Sequence, residues 1–353
     1  MRFPEFTEEW EETTLGKISE ITKGSGISKD QLSEQGSPCI LYGELYTKYK
    51  SEIIDEVYSR TELDSSSLVK SKANDVIIPC SGETAIDIST ARCVPFNNIL
   101  LGGDLNIIRL KHDDGGFFAY QLNGARKKDI ARVAQGVSVV HLYGENLKHI
   151  RVYHPAIEEQ KKITRLLSLI DERIATQNKI IEDLKKLKSA ISERLFKGIE
   201  GSFVLLSDIC DIVKGKQING ENLSESGNYY VMNGGTEPSG YYGDYNVDAN
   251  AISISEGGNS CGYVQFNTSP FWSGGHCYSI QNIADNVNNL YLYHYLKSNE
   301  DVIMKLRIGS GLPNIQKKDL AMFKIKVPAI EQQITISTFL SSLERKAEIE
   351  ERI

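Results

Sequence analysis

Residues 155–174 read PAIEEQKKITRLLSLIDERI, and residues 328–347 read PAIEQQITISTFLSSLERKA. Eight of the twenty positions are identical, and most of the others are conservative exchanges. Each copy opens with a proline, where helices often begin. An acidic residue follows at Glu158 and at Glu331, where it suits the positive end of a helix dipole. A helix start written twice, 173 positions apart, points to a chain built as two related halves.

A second repeat supports this. Residues 15–43, LGKISEITKGSGISKDQLSEQGSPCILYG, align without gaps to 206–234, LSDICDIVKGKQINGENLSESGNYYVMNG, with 11 of 29 positions identical. The Lys-Gly at 23–24 returns at 214–215, and Leu-Ser-Glu at 32–34 returns at 223–225. The offset is 191 here and 173 at the helix phrase, so the first copy carries 18 extra residues in its centre. Short apolar runs such as NDVIIPCSGE, LNIIRL, NAISISEGG and CYSIQN, broken by Gly and Asn, predict strands. Short helices are expected around 117–133 and 288–306.

Residues 156–198 differ in kind. They lack Pro and Gly until Gly198, and apolar residues recur at Ile163, Leu166/Leu167, Ile170, Ile174, Ile181, Leu184, Leu187, Ile191 and Leu195. That period near 3.5 is a coiled-coil pattern, with Gln177 as a polar, register-fixing position in the seam. The helix would be roughly 64 Å long. Its partner is expected in the second copy, through Ile336, Phe339/Leu340, Leu343 and Ala347. The predicted fold class is α+β: two globular domains in tandem duplication, separated by long helices that pair as an antiparallel coiled coil. The expected division is 1–154, a first domain; 155–199, a central helix; 200–327, a second domain; and 328–353, a distal helix.

Composition narrows the function. The 353 residues exceed the span of one hydrophobic core. No run of about 18 apolar residues predicts a membrane span, and the acidic start MRFPEFTEEWEE is not a secretory signal. The six cysteines form no C-x-x-C pair, as expected of reduced, partly buried thiols in a cytoplasmic protein. Net charge is −7: residues 1–150 carry −5, 151–200 carry +3 and 201–353 carry −5. Such a balance leaves room only for local basic faces on nucleic acid.

No catalytic motif stands out. Glu159-Gln160-Lys161 resembles the tail of a nuclease metal site, but it opens a helix, and the second copy reads Glu331-Gln332-Gln333. Gly24-Ser25-Gly26 lacks the third glycine and the βαβ context of a dinucleotide site. P-loop, H-E-x-x-H and G-x-S-x-G motifs are missing, as is the N/D-P-P-[YF] run of amino-methyltransferases. No catalytic residue and no metal site are therefore assigned.

What remains is binding chemistry. The stretch NYYVMNGGTEPSGYYGDYN (228–246) brings Asn233, Tyr241, Tyr242 and Tyr245 together among glycines, suited to phosphate and base edges. Its counterpart is taken as LYGELYTKYK (41–50), with Tyr42, Tyr46, Lys48 and Lys50. Basic clusters at Arg126, Lys127, Lys128 and Arg132, and at Lys305 and Arg307, can neutralise phosphate. A solvated helix face is the plain alternative for both. Lys23, Arg92, Lys214, Lys216 and Gln217 complete the candidate DNA-binding set. The lysines at 185, 186 and 188 are read as solvated surface.

The string GSGLPNIQKKDLAMFKIKVPAIEQQITISTFLSSL (309–343) and its relative QGVSVVHLYGENLKHIRVYHPAIEEQKKITRLLSLID (135–171) share a theme. A Gly-rich turn precedes an apolar strand ending in proline, then E-Q and a heptad helix. With the L-x-x-I-x-x-I-x-K-G opening of each half, the chain resembles the specificity subunit of type I restriction–modification systems over nearly its whole length. The resemblance implies a non-catalytic subunit whose two domains each read one half of a bipartite target in double-stranded DNA. It implies helices that act as spacer and dock two methyltransferase subunits, with restriction/motor subunits joining the complex. S-adenosylmethionine would be held by the methyltransferase partners, and no cofactor by this chain. The second helix reaches only 25 residues past Pro328, against 43 for the first past Pro155, and is expected to be a shortened form of the family's longer distal helix. The competing expectation is a coiled-coil adaptor or dimerisation protein without DNA specificity.

Overall fold

The computed structural model describes residues 2–309 and 311–352. Ser310, in the glycine-rich turn, and Ile353, the expected end of the distal helix, lie outside them. The chain forms two compact units, Met1–Ala175 and Thr176–Ile353.

The first unit is built on strands β1 (Ser19–Lys23), β2 (Asp75–Pro79), β3 (Arg92–Val94) and β4 (Leu105–Leu110). They form an antiparallel sheet in the order β1-β4-β2-β3. The apolar run of β2 is buried throughout because both faces of the sheet are covered. Alternate side chains go to opposite sides. Val76, Ile78 and Ile108 join one core with Phe117, Phe118 and Leu122 of helix α1 (Gly115–Asn123). Ile77, Leu105 and Ile107 join another with Ile40, Leu45, Tyr49 and Ile54. Helix α2 (Ile157–Gly198) starts in this unit and ends at Gly198, the first glycine of its stretch.

The second unit repeats the plan. Strands β5 (Asp211–Lys214), β6 (Ala251–Ser255), β7 (Val264–Asn267) and β8 (Cys277–Gln281) form an antiparallel sheet in the order β5-β8-β6-β7. The registers match position by position. Ile108 faces Ile21 and Val76, and Ile280 faces Ile212 and Ile252. One face packs on helix α3 (Asn289–Ser298), with Tyr291, Leu292 and Leu296 fully buried. Ile336 and Leu340 of helix α4 (Ile330–Arg352) and Phe196 of α2 close that core. Each fully buried Leu or Ile side chain is worth about 1.5–3 kcal/mol.

The extra residues of the first copy have a definite place. Gly102 N donates to Ile40 O as Gly274 N donates to Met232 O, so Ile40 matches Met232. The ungapped alignment of 15–43 therefore slips by one residue near its end. From Ile40 to Val76 is 36 positions, and from Met232 to Ile252 is 20, so 16 extra residues lie between these strands. Eleven of them lengthen the connection from Ile40 to Arg60, which carries a helix at Glu44–Thr47; the strand Ser59–Thr61 that follows pairs with Ser37–Cys39 as Tyr241–Tyr242 pairs with Tyr229–Tyr230. LYGELYTKYK thus supplies no strand of the first unit's version of the tyrosine hairpin but lies in its enlarged loop, between Ser37–Ile40 and Ser59–Thr61. It is an insertion whose Leu45 and Tyr49 are buried in the first unit's core.

Within the second unit α2 and α4 run antiparallel. Gln177 Nε2 donates to Glu350 O at 2.8 Å, Lys188 Nζ lies 2.6 Å from Glu344 Oε1, and Phe196 shares a core with Ile336 and Leu340. The expected seam is not covered throughout. Leu166, Ile170, Ile174 and Leu187 are about half exposed. A straight α-helix drifts about 20° per heptad, which carries a 3.5-residue stripe out of register with one neighbour.

All six cysteines are free and buried. Among the described residues no group of side chains could hold a metal ion. Among the described residues no helix is long and apolar enough to cross a membrane.

Candidate nucleic-acid interface

The repeated Lys-Gly is the key to each unit's outer edge. In the second unit Gly215 N donates to Cys277 O at 2.8 Å, and Lys216 N donates to Ser273 O at 2.8 Å. In the first, Gly24 N donates to Leu105 O at 3.0 Å and Ser25 N to Leu101 O at 2.9 Å. A Cβ at Gly24 would overlap the carbonyl oxygens of Leu101 and Gly102, and one at Gly215 those of Ser273 and Gly274. Glycine is required because two backbones lie against each other. The result is a shelf of loop backbone beside the sheet, from which the flanking side chains project.

In the second unit this shelf gathers much of the candidate set. Lys214 Nζ sits 2.6 Å from Glu256 Oε1, and Tyr278 Oη lies 3.0 Å from the same oxygen. Burial, then the bond to Glu256, pushes the Tyr278 phenol well above its ordinary pKa, so it stays a donor. Glu256 Oε2 is buried without a hydrogen-bond partner, and His276 Nδ1 is 3.9 Å away. Asn233 Oδ1 accepts from His276 N at 3.1 Å. Gln217 is exposed against Gly275. Trp272 Nε1 donates to Lys216 O at 2.9 Å, and its ring meets Tyr242 edge-on at 5.1 Å. Tyr242 and Tyr241 pair with Tyr229 and Tyr230 in a hairpin, with Tyr245 packed 4.9 Å from Tyr229. The Ile308–Asn314 and Gly257–Asn314 bridges bring the segment after Arg307 to the same loops. Lys305 and Arg307 are exposed and follow the helix Glu300–Met304 rather than lying in it.

The first unit's shelf is barer. Lys23 is exposed and, among the described residues, has no ion pair. Tyr42 lines an open cleft of about 420 Å³ with Gly26, Ile27, Ser28, Gln31 and Asp104. Tyr46 is half-buried, and Lys50 is exposed. Lys48 is tied inward, with Nζ 2.7 Å from buried Glu44 and 2.9 Å from Ser59.

Two readings need correction. Arg92 is no surface cation. It is only 7% exposed, and its guanidinium donates to the carbonyls of Leu45, Tyr49 and Lys50, closing the end of the inserted helix. Burial lowers its pKa, with Glu52 and Asp171 opposing. A sequence shows a cation but not orphan helix carbonyls waiting for it. The Arg126–Arg132 cluster is also partly spent. Arg126 stacks 5.5 Å over Tyr153 and pairs with Asp129, which also binds Arg132 at 3.0 Å. Only Lys127 and Lys128 lack an ion pair there, among the described residues.

The sequence reading missed Asp104, Glu256, Trp272, His276 and Tyr278. One signal could have found three of them: Gly102-Gly103-Asp104 and Gly274-Gly275-His276 repeat at an offset of 172, and Glu256 faces the second. The Glu159-Gln160 pair proves structural. Glu159 is buried against Arg2, and Gln160 bonds to the cap of α1.

Comparison with known proteins covers both units. The family model described as Type I restriction modification DNA specificity domain matches residues 7–186 and again 200–353. A type I restriction enzyme specificity subunit of Methanocaldococcus jannaschii is 25% identical over 67% of this chain and 63% of its own length. A type I specificity subunit of Mycoplasma pneumoniae is 22% identical over 75% of this chain and 70% of its own. The chain thus spans somewhat less than two thirds of the first of these relatives. A crystal structure of a type I restriction–modification S subunit from M. genitalium has the same fold. It superposes with a TM-score of 0.73 at 19% identity, covering 97% of this chain and 91% of that one.

Proposed function

Because the chain belongs to the type I restriction modification DNA specificity domain family through both of its halves, we propose that it is the non-catalytic, sequence-reading subunit of such a complex. Each unit reads one half of a bipartite double-stranded DNA target. The helices α2 and α4 form an antiparallel coiled coil that sets the gap between half-sites and docks two methyltransferase subunits. Those partners hold S-adenosylmethionine and methylate adenine, and restriction/motor subunits complete the cytoplasmic complex.

The single observation that carries this reading is the shelf built twice. The same Lys-Gly turn, the same glycine-lined loop and the same four-strand order recur in both units, while the side chains around them differ. A constant frame with variable chemistry is what reading two different half-sites requires. Backbone amides and lysines suit phosphates, and polar side chains suit base edges. The bonds from Gln177 and Lys188 to α4 support the helices' part, since polar seam contacts fix register.

The test is to assemble the chain with its methyltransferase partners and recover bound duplexes from a randomised library. Two conserved half-sites at a fixed gap, with affinity falling as salt rises, are expected. Recovery of no sequence at all would point to a coiled-coil adaptor instead.

A further inference from the structure

The two shelves are held by corresponding backbone hydrogen bonds at one outer corner and differ there in chemistry. Residues 101–105 and 273–277 show the same run of burial: two buried residues, a half-buried glycine, an exposed residue, then a buried one. The exposed residue is Asp104 in the first unit and His276 in the second. Their backbones are held alike. Asp104 O accepts from Cys80 N at 2.7 Å, and His276 O accepts from Glu256 N at 2.9 Å. Each follows a glycine pair whose close packing leaves its own side chain as the only one leaving the turn.

We infer that this corner is a specificity-determining position in each reading head, filled by Asp104 in one and His276 in the other. The inference rests on the reading of the chain as a DNA-recognition subunit. A carboxylate can only accept, whereas an imidazole can give a ring N–H. Asp104 therefore calls for a base edge with an exocyclic amino group, cytosine N4 or adenine N6, and disfavours a bare acceptor edge. His276 calls for an acceptor edge, guanine O6/N7 or thymine O4. Surroundings agree with the split. Asp104 borders the open cleft that holds Ser28, Gln31 and Tyr42, so its carboxylate is reachable. The ring of His276 stands over Glu256, which takes up the charge of Lys214 and keeps that lysine from drawing a phosphate onto the corner.

The experiment is a reciprocal exchange in the full chain assembled with its methyltransferase partners, read by sequencing duplexes recovered from a randomised library. In Asp104→His, one base position of one half-site should move from an amino-bearing to an acceptor base by about tenfold in preference, with the other half-site and the gap unchanged. In His276→Asp the opposite change should appear, confined to the other half-site. The unaltered half-site shows in each case that the assembly is folded. Unchanged letters in both variants overturn the assignment, and so does loss of both half-sites together, because that marks a structural role. A parent complex that selects no sequence would instead sink the underlying reading of the chain as a DNA reader.

Discussion

Gln160 Oε1 accepts a hydrogen bond from the backbone nitrogen of Asp114 at 2.9 Å, and Asp114 is the residue that caps helix α1. Its Nε2 donates to Asp113 Oδ1 at 2.8 Å and to Pro155 O at 2.9 Å. The second unit makes the same clamp: Gln333 accepts from Asn288 N, the cap of α3, and donates to Asn286 O and Pro328 O. The doubled phrase recurs because each copy of its glutamine ties a long helix to the cap of the helix it crosses. Both glutamines are 1% exposed or less, so truncation leaves buried groups unpaired. Gln160→Ala and Gln333→Ala should each cost about 2–4 kcal/mol, each in its own unit, at roughly 1–3 kcal/mol per orphaned group. Chemical denaturation followed by probes in each unit checks this; a loss near zero would show that the clamp does not hold the long helix to its own unit.

How much of this was legible beforehand depends on what each residue's role requires. The duplication, the long helix and the strand runs are local patterns, and they stood in the text of the sequence. The reason for Gly24 and Gly215 was not there, because it lies in carbonyls of residues far along the chain. Arg92 was misplaced for the same reason, since only the inserted helix supplies the carbonyls that draw it inside. His276 and Asp104 were passed over because neither sits in a basic or aromatic cluster.

Arg92 and Lys23 should now separate cleanly. Arg92→Ala strips a buried donor from three carbonyls and should destabilise the first unit by about 2–3 kcal/mol. Once folded at low temperature, it should keep the salt dependence of DNA binding unchanged. A shallower salt slope in that variant would return Arg92 to the DNA surface.

Lys23 and Lys214 occupy matched positions but differ in charge available to phosphate. Lys214 is 2.6 Å from Glu256, while Lys23 has no ion pair among the described residues. Lys23→Ala should lower the slope of log affinity against log salt by about 0.9, the share of one phosphate contact. Lys214→Ala should change it by less than about half that, and Glu256→Gln should steepen it by freeing the lysine. Equal effects from the two lysine variants would refute the neutralising role of Glu256.

His294 gives the second unit a pH dependence. Its ring is 3% exposed beneath α2 and α4, with Nε2 2.9 Å from Ser341 Oγ. Burial drives its pKa down to about 4, with Glu344 opposing and Lys188 reinforcing the change. In the unfolded chain the ring titrates near 6.5, so below that pH the unfolded state binds the proton that the folded state refuses. The stabilising effect of the neutral ring is full above pH 6.5 and is lost as pH falls toward 4. Between about pH 7 and pH 5 the second unit should lose about 2 kcal/mol, because each pH step below the unfolded ring's titration point favours the unfolded chain by about 1.4 kcal/mol. His294→Gln keeps a polar partner for Ser341 and removes the titration. It should flatten the stability profile of that unit over the same range, measured by urea denaturation, while the first unit's profile stays as it was. A parent profile already flat over that range would contradict the buried neutral ring.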